Sequence, residues 1–409
     1  MKLIGPFTQL LSMRNLPLKG SLSDEQLEII ENAGILVNSN GKIENIDDFQ
    51  ELTQKYPEAN IEKIEGEKIV IPGLIDSHTH ICFGGTRAKD FSMRNAGKSY
   101  LDIAREGGGI WSTVKETRKS DLQELVEGIK TRALYLLELG ITTIEVKSGY
   151  GLSVSEELKM LKAIKIANNE THQQLISTCL AAHTLPQDFD GNHAEYLQII
   201  QDELFPILIE EDLTNRMDAF IEEEAFDENV IIPFFEKAKE MGFDITVHAD
   251  QFSTGGSEIA VRIGAVSADH LEASTSKEIE ILAKSDTVAT ALPGATLGLG
   301  CAFTPARALL DAGACLAIAS DWNPGSGPQG NLIAQASILA TFQKLSNAEV
   351  LAGITYRAAH ALRAENIGKL QSGFEANFAI FDTHNYQEIT YQQGRLLPSS
   401  VYIQGKKVR

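Results

Sequence analysis

Positive charge is scarce in this chain of 409 residues. It has 36 lysines and arginines against 56 aspartates and glutamates, which gives a formal net charge of −20. Nucleic-acid binding needs a basic face, and an acidic excess of this size also opposes binding to anionic membranes or polyphosphates. We therefore expect no nucleic-acid and no membrane partner, although the local charge of a small-molecule pocket stays open.

Cysteines and long apolar runs are also few. The four cysteines are scattered without CxxC spacing, as Cys82, Cys179, Cys301 and Cys315, which is typical of reduced thiols in a cytosolic protein. No apolar run approaches the roughly 20 residues needed to span a bilayer, and the opening MKLIGPFTQL lacks a signal-peptide pattern. We expect a cytoplasmic protein.

From residue 70 onward, short β-branched runs alternate with amphipathic helical stretches. This alternation is typical of a parallel sheet with crossover helices. The strand candidates number eight, as a closed (β/α)₈ barrel of the TIM type requires; they are 74–80, 141–149, 175–183, 217–223, 243–250, 265–270, 286–292 and 314–321. The sequence therefore predicts an α/β protein built on a distorted barrel of this type.

The two ends of the chain have a different, β-rich pattern. Neither end alone could bury a core, but together they could form one small β-sandwich. The predicted organisation is a first part of this sandwich in 1–70, the barrel in 71–365, and the second part of the sandwich in 366–409.

Polar residues at the ends of the predicted barrel strands indicate a metal site. In this fold the active site lies at the carboxyl ends of the strands, where His78, His80, His248 and Asp321 are found. Alternation along a strand points residues i and i+2 to the same side, so both imidazoles of the His-Thr-His segment can reach one ion. A lone strand-end histidine is often only a hydrogen-bonded core residue, whereas four candidates in barrel order are a much more specific signal. Three imidazoles and a carboxylate suit Zn²⁺ or iron, as Fe²⁺ or Fe³⁺.

The motifs around these positions resemble a known family. IPGLIDSHTH, VHAD, SADH and IASDWNPGS are similar to the amidohydrolase superfamily and, within it, to the imidazolonepropionase family of histidine degradation. More specific are HICFGGTRAKDFSMRNAGKSY, REGGGIWSTV, TIEVKSGYGL, AAHTLP and SDWNPGSGP. The resemblance covers the whole chain, including its β-rich ends.

This resemblance implies a substrate and a set of site residues. The metal would be held by His78, His80, His248 and Asp321. The substrate, 4-imidazolone-5-propanoate, would be bound by Arg87, Tyr100, Tyr150, His183, Gln251, Asn323, Gly325 and Ser326. Arg87 offers a planar pair of donors suited to the propionate. A homodimer is expected from the family alone.

The resemblance also implies a mechanism. Hydroxide generated at the metal would open the ring at its C–N bond and give N-formimidoyl-L-glutamate. Asp321 would move the proton, and His270 would polarise the carbonyl without binding the metal; His183 is placed with these two as a third catalytic residue.

Two sequence details narrow this prediction. Many two-metal relatives have a carboxylated lysine at the end of strand four, where this chain has 219–224, AFIEEE, with no lysine; we therefore expect one divalent ion. Deaminases of the superfamily have a glutamate shortly after the strand-five histidine, where this chain has Gln251. A neutral amide cannot shuttle a proton but can hydrogen-bond a ring.

Two other functions remain open. The first is an aminohydrolase that releases ammonia from a nitrogen heterocycle with the same single-metal site; Gln251 and the RAKDF segment argue against it. The second is a non-catalytic relative that keeps the barrel for protein assembly. Such relatives tend to lose metal ligands, and this chain keeps all four.

Overall fold

Strands and helices alternate through the middle of the chain. The structure, a computed structural model, describes residues 1–222 and 226–409, without the side chains of Tyr100, Leu101 and Ala104. The strands are β1 (Lys2–Leu11), β2 (Ile29–Val37), β3 (Ile43–Asp48), β4 (Asn60–Lys63), β5 (Ile69–Pro72), β6 (Leu74–Asp76), β7 (Ile141–Lys147), β8 (Gln174–Ala182), β9 (Arg216–Phe220), β10 (Asp244–Ala249), β11 (Ser267–His270), β12 (Val288–Ala291), β13 (Leu316–Ile318), β14 (Phe378–Phe381), β15 (Pro398–Ile403) and β16 (Lys406–Lys407).

The helices lie mainly between the strands β6 to β13 and after them. They are α1 (Phe49–Lys55), α2 (Ala88–Asn95), α3 (Tyr100–Arg105), α4 (Ile110–Lys119), α5 (Leu122–Glu138), α6 (Val154–Glu170), α7 (His193–Ile199), α8 (Phe205–Glu210), α9 (Glu228–Glu240), α10 (Gly256–Arg262), α11 (Ser276–Lys284), α12 (Pro293–Leu299), α13 (Ala306–Asp311), α14 (Leu332–Gln343), α15 (Asn347–Gly353), α16 (Tyr356–Ala361) and α17 (Gln387–Tyr391). A 3₁₀ turn covers Asp24–Gln26 and a π turn covers Ile200–Leu204.

Helix α5 illustrates how the sequence sets a crossover helix. Asp121 accepts a hydrogen bond from the amide of Glu124 at 2.8 Å, and the Glu124 carboxylate accepts one from the amide of Asp121 at 2.9 Å. This capping box satisfies donors that the first helical turn leaves unpaired. Leu125, Ile129 and Leu136 are spaced at helical intervals and buried in the large core, so the helix packs its apolar side onto the barrel.

The predicted barrel is confirmed. Strands β6 to β13 pair in chain order as one parallel eight-stranded sheet. The first and last strands meet just beyond their ends, where Thr79 and Trp322 form a parallel bridge. There the amide of Asp321 donates to the carbonyl of His78 at 3.0 Å, and the amide of His80 donates to that of Trp322 at 2.9 Å. The closure of the barrel therefore brings the His-Thr-His segment next to Asp321.

Several predicted strand bounds are wrong at their carboxyl ends. The predicted strand 74–80 ends at Asp76, and the predicted strand 314–321 is only Leu316–Ile318. A side chain replaces the backbone ladder at this junction, because the Asp76 carboxylate accepts a hydrogen bond from the amide of Ser320 at 2.9 Å. The candidate ligands consequently lie on short connections that follow the strands.

The two chain ends form the predicted small β domain. Its strands join in one mixed sheet of order β16-β15-β14-β5-β1-β2-β3, and β4 pairs with the first half of β1. Along β5, Ile69 and Ile71 belong to the large core shared with the barrel, whereas Val70 belongs to the core of the β domain. Alternation along this strand therefore joins the two parts of the protein. We propose that the boundaries between the β domain and the barrel lie after residues 70 and 365.

Within the residues that the structure describes, no helix has both the length and the apolarity required to cross a membrane.

Candidate active site

Three imidazoles converge at the carboxyl ends of the barrel strands. His80 Nε2 lies 3.3 Å from His78 Nε2 and 3.3 Å from His248 Nε2. Asp321 Oδ1 lies 3.7 Å from His78 Nε2 and 3.4 Å from His80 Nε2. All four side chains are buried. The structure therefore brings together the four residues proposed as metal ligands from the sequence.

Two buried carboxylates orient the imidazoles of His78 and His248 from behind. Asp269 Oδ2 is hydrogen-bonded to His78 Nδ1 at 2.7 Å, and Asp218 Oδ2 lies 2.9 Å from His248 Nδ1. A carboxylate on Nδ1 fixes the tautomer whose Nε2 lone pair faces the cluster, which is the usual outer support of a metal-binding histidine. Burial is the main reason why the pKa of His78 is lowered, so the ring is held in its neutral, ligating form.

A buried lysine links this support to the barrel interior. Lys147 Nζ lies 2.7 Å from Glu145 Oε1 and 2.8 Å from Asp218 Oδ2, and all three side chains are fully buried. Burial lowers the pKa of Lys147, but the charges of Asp218 and Glu145 more than offset it, and the net pKa is raised. Lys147 is thus a permanent cation whose ammonium is occupied by two carboxylates, unlike a lysine carboxylated to bridge two metals.

The residues present fit a divalent ion. Asp321 Oδ1 is buried and has no hydrogen-bond partner among the described residues, although it faces the Nε2 atoms of His78 and His80. An unpaired buried carboxylate oxygen is costly, and a cation between it and the Nε2 atoms removes that cost. The backbone of Asp321 has φ 47°, a left-handed conformation that non-glycine residues adopt mainly at functional sites.

His270 lies beside the cluster and outside it. Its ring centroid is 5.3 Å from that of His248 and 5.8 Å from that of His78, and its Nδ1 lies 3.5 Å from Glu272 Oε2. Burial lowers the pKa of His270, but the nearby carboxylates, with Glu272 first among them, together more than offset burial, and the net pKa is raised. His270 can therefore present a protonated ring to the cavity as a hydrogen-bond donor.

His183 and Tyr150 also line the cavity, beside His80. His183 Nδ1 is hydrogen-bonded to the carbonyl of Gly149 at 2.9 Å, and burial lowers the pKa of His183 to about 3. The ring is therefore neutral, with Nε2 as an acceptor. Burial raises the pKa of Tyr150, which keeps its phenol a donor. Glu157 holds the turn that presents Tyr150, because its carboxylate accepts hydrogen bonds from the amides of residues 149, 151 and 152 at 2.8–3.0 Å.

Gln251 lies on a turn that is held in the same way. The carboxylate of Glu222 accepts hydrogen bonds from the amides of Gln251 and Phe252, both at 2.9 Å, and from the amide of Ser253 at 3.1 Å. Glu222 lies just after β9, within the segment 219–224 that was considered above for a bridging lysine. Its carboxylate is engaged with backbone amides, so its function here is to position the turn.

The predicted substrate arginine, Arg87, also lines the cavity. Arg87 precedes α2, and its Nε donates to Asp90 Oδ2 at 2.9 Å. A side-chain carbon on Gly325 would come within 2.2 Å of Arg87 Nη1, so this glycine leaves room for the guanidinium. Asn323 shapes the same turn, because its Oδ1 accepts hydrogen bonds from the amides of Gly325 and Ser326, both at 2.8 Å.

Many of the residues described above line one cavity with a volume of about 670 Å³. Its lining includes most of the positions predicted from the sequence, namely His80, Arg87, Tyr150, His183, His248, Gln251, His270, Asp321, Asn323, Gly325 and Ser326. The side chain of Tyr100 and the residues Glu223 and Glu224 of the predicted strand-four end lie outside the described part of the chain.

Sequence reasoning missed several residues of this site. They are Arg94, Phe220, Glu222 and Phe252 in the lining, and Glu145, Lys147, Asp218 and Asp269 behind the ligands. For the second group a signal existed, because charged residues at i and i+2 within an apolar strand such as ITTIEVK are rare unless they are paired. For the first group the sequence offers no comparable signal.

Comparison with known proteins agrees with this geometry. Residues 69–408 match the amidohydrolase family. The imidazolonepropionase of Bdellovibrio bacteriovorus is 38% identical over 392 residues, which cover 95% of this chain and 91% of that protein. The imidazolonepropionase of Fusobacterium nucleatum is also 38% identical, over 94% of this chain and 93% of that protein.

Solved structures share the fold at much lower identity. The guanine deaminase of C. acetobutylicum, with bound guanine, has a TM-score of 0.73 at 15% identity and covers 100% of both chains. The atrazine chlorohydrolase of Arthrobacter aurescens, in complex with zinc, has a TM-score of 0.72 at 17% identity and covers 100% of this chain and 95% of that chain. At such identities the likeness extends to the architecture alone.

Proposed function

The chain belongs to the amidohydrolase family and, within it, groups with the imidazolonepropionases, and we propose that it hydrolyses 4-imidazolone-5-propanoate to N-formimidoyl-L-glutamate in histidine degradation. The observation that supports this most strongly is the placement of Arg87 in the same cavity as the His78, His80, His248 and Asp321 cluster. A guanidinium suits the propionate tail, and the cluster lies where the ring would then be.

We propose that the four clustered residues hold one divalent ion, Zn²⁺ or iron. When bound, such an ion lowers the pKa of a coordinated water and polarises a carbonyl. The paired state of Lys147 and the engagement of Glu222 with backbone amides both support a single ion, since neither is free to bridge a second one.

The chain's own residues orient the substrate. Arg87 binds the propionate, and Tyr150 donates to a ring acceptor. Neutral His183 accepts a hydrogen bond from a ring N–H. This contact binds the ring and holds it in the orientation that catalysis requires. Gln251, held by Glu222, contacts the ring edge with an amide that can donate and accept.

Asp321 and His270 handle the proton and the developing charge. Attack of water on the ring carbonyl carbon forms a C–O bond, and Asp321 takes the proton that the water loses. His270 donates a hydrogen bond to the carbonyl oxygen as negative charge gathers there. When the C–N bond breaks, Asp321 returns the proton to the ring nitrogen, and the carbonyl carbon becomes the new carboxylate. One water is added and no ammonia is released.

The remaining proposals concern the surroundings of the enzyme. The free cysteines, three of them buried, support a cytoplasmic location, and the acidic surplus supports the absence of a nucleic-acid partner. The homodimer is proposed from the family resemblance.

Product analysis tests the proposed reaction. Purified protein incubated with 4-imidazolone-5-propanoate should consume it and form N-formimidoyl-L-glutamate in equal amount, and a chelator should stop the reaction. Stoichiometric ammonia release from a heterocyclic amine, with no turnover of the imidazolone, would favour the aminohydrolase alternative. Metal binding with no turnover of either class of substrate would favour a non-catalytic relative.

Arg87→Ala is expected to lower kcat/KM for the imidazolone by about 10²-fold or more, because the tail loses a bidentate partner and the ring loses its placement over the cluster. Metal content should stay at the wild-type level. Arg87→Lys should also be impaired, since a point charge lacks the planar pair of donors. The propionamide analogue should be a poor wild-type substrate that loses much less on mutation; equal losses for both substrates would show that Arg87 does not recognise the carboxylate.

A further inference from the structure

A second arginine lines the cavity seven residues after the first. Arg94 is on α2, seven residues after Arg87, which immediately precedes this helix, and both side chains line the cavity. Its Nη1 donates to the carbonyl of Gly298 at 2.6 Å and its Nη2 to the carbonyl of Gly325 at 3.2 Å. Two of the five guanidinium N–H donors are thereby used, and three are left for another partner.

The charges around the two arginines do not balance. Asp90 lies between them in the sequence and pairs with Arg87 through a hydrogen bond to Nε; the same oxygen also accepts one from the amide of Gly109 at 2.8 Å. Among the described side chains, no carboxylate oxygen comes within 4.0 Å of a nitrogen of Arg94. The cluster of Arg87, Asp90 and Arg94 therefore has a net charge of +1.

The two guanidinium groups are close enough to affect each other. Burial is the main cause that lowers the pKa of Arg94, the charge of Arg87 is the second, and Asp90 acts in the opposite direction. A half-buried cation beside another cation is unfavourable unless an anion joins them. One carboxylate would bring the cluster to neutrality.

We propose that Arg94 is a second specificity-determining residue, which supplies the net positive charge that recognises the substrate's tail carboxylate beside Arg87. This inference rests on the proposed function. Arg87, neutralised in part by Asp90, contributes directed donors. Arg94, fixed by two backbone carbonyls, contributes the unbalanced charge, which an otherwise acidic protein needs in order to attract an anion.

Arg94→Gln tests the proposal, because glutamine keeps a donor for the carbonyls but removes the charge. With 4-imidazolone-5-propanoate, kcat/KM should fall by about 10-fold or more, the contribution of a charge-assisted hydrogen bond. With the neutral propionamide analogue it should change little. The preference for the anionic substrate should fall accordingly, and kcat/KM should depend less on NaCl concentration than in the wild type. Arg94→Lys retains the charge and should retain most of that preference.

Arg118→Gln is the matched control. Arg118 also holds a cavity turn through backbone carbonyls, those of Gly151 at 2.6 Å and Leu152 at 3.1 Å, but it lies outside this cavity and pairs with Asp188. The Arg118→Gln substitution should change kcat/KM for the two substrates by the same factor. If Arg94→Gln and Arg94→Lys also lower kcat/KM for both substrates by one common factor, Arg94 only holds the turn and the inference is overturned. No imidazolone turnover by the wild type would instead overturn the proposed function.

Discussion

His78→Ala and Asp321→Ala are each expected to lose most of their bound metal and all measurable imidazolone hydrolysis. A site reduced to three ligands binds its ion more weakly and loses the geometry that activates water. Asp321→Ala also removes the group that takes the proton, so adding excess metal should restore less activity to it than to His78→Ala. Elemental analysis beside turnover measures both effects.

An exposed histidine provides the control for these variants. His384 is in the β domain and 71% of its side chain is exposed, so His384→Ala should keep wild-type metal content and rate. Full metal occupancy in both ligand variants would refute the assignment of this cluster as the metal site.

His270→Ala is expected to retain its metal and to lose about 10²–10³ in kcat, the usual effect of removing a donor to a developing oxyanion. The reason is geometric: the ring is beside the three converging imidazoles and is paired with Glu272 rather than with them. KM should change much less than kcat, since the interaction strengthens only in the transition state.

Glu272→Gln sharpens this test. It leaves the imidazole of His270 in place but removes the Glu272 charge that favours its protonated form, so its kcat should fall by less than that of His270→Ala. Loss of metal in His270→Ala would make this residue a ligand, and near-normal turnover would make it a structural residue.

The sequence was sufficient for the parts of the site that follow from strand order. His78, His80, His248 and Asp321 are placed by the rule that barrel strands present their carboxyl ends together. Because these strands are consecutive and parallel, their order along the chain is also their order around the barrel, and the grouping could be predicted without coordinates.

Contacts between distant strands could not be predicted in the same way. Asp218 and Lys147 are on β9 and β7, and their 2.8 Å approach depends on how the barrel interior is filled. Arg94 reaches carbonyls more than 200 positions away in the sequence. Such pairings depend on side-chain length and direction inside a packed core, which local patterns do not encode.

Strand ends were predicted too long for a related reason. The run LIDSHTH continues the apolar and polar alternation of a strand. However, the Asp76 carboxylate accepts a hydrogen bond from the amide of Ser320, and this interrupts the backbone ladder. Propensity and periodicity describe the chain locally, and the hydrogen bond that Asp76 accepts from a backbone amide 244 positions away overrides them.

The dependence of imidazolone hydrolysis on one metal ion per chain is the central claim, and titration of metal into metal-free protein tests it most directly. The protein is stripped with a chelator, and Zn²⁺ or Fe²⁺ is added back in steps while turnover of 4-imidazolone-5-propanoate and bound metal are both measured. Activity should be absent without metal, rise in proportion to bound ion, and reach its plateau at one ion per chain. Full turnover by the metal-free protein, or a plateau only at two ions per chain, would contradict this account.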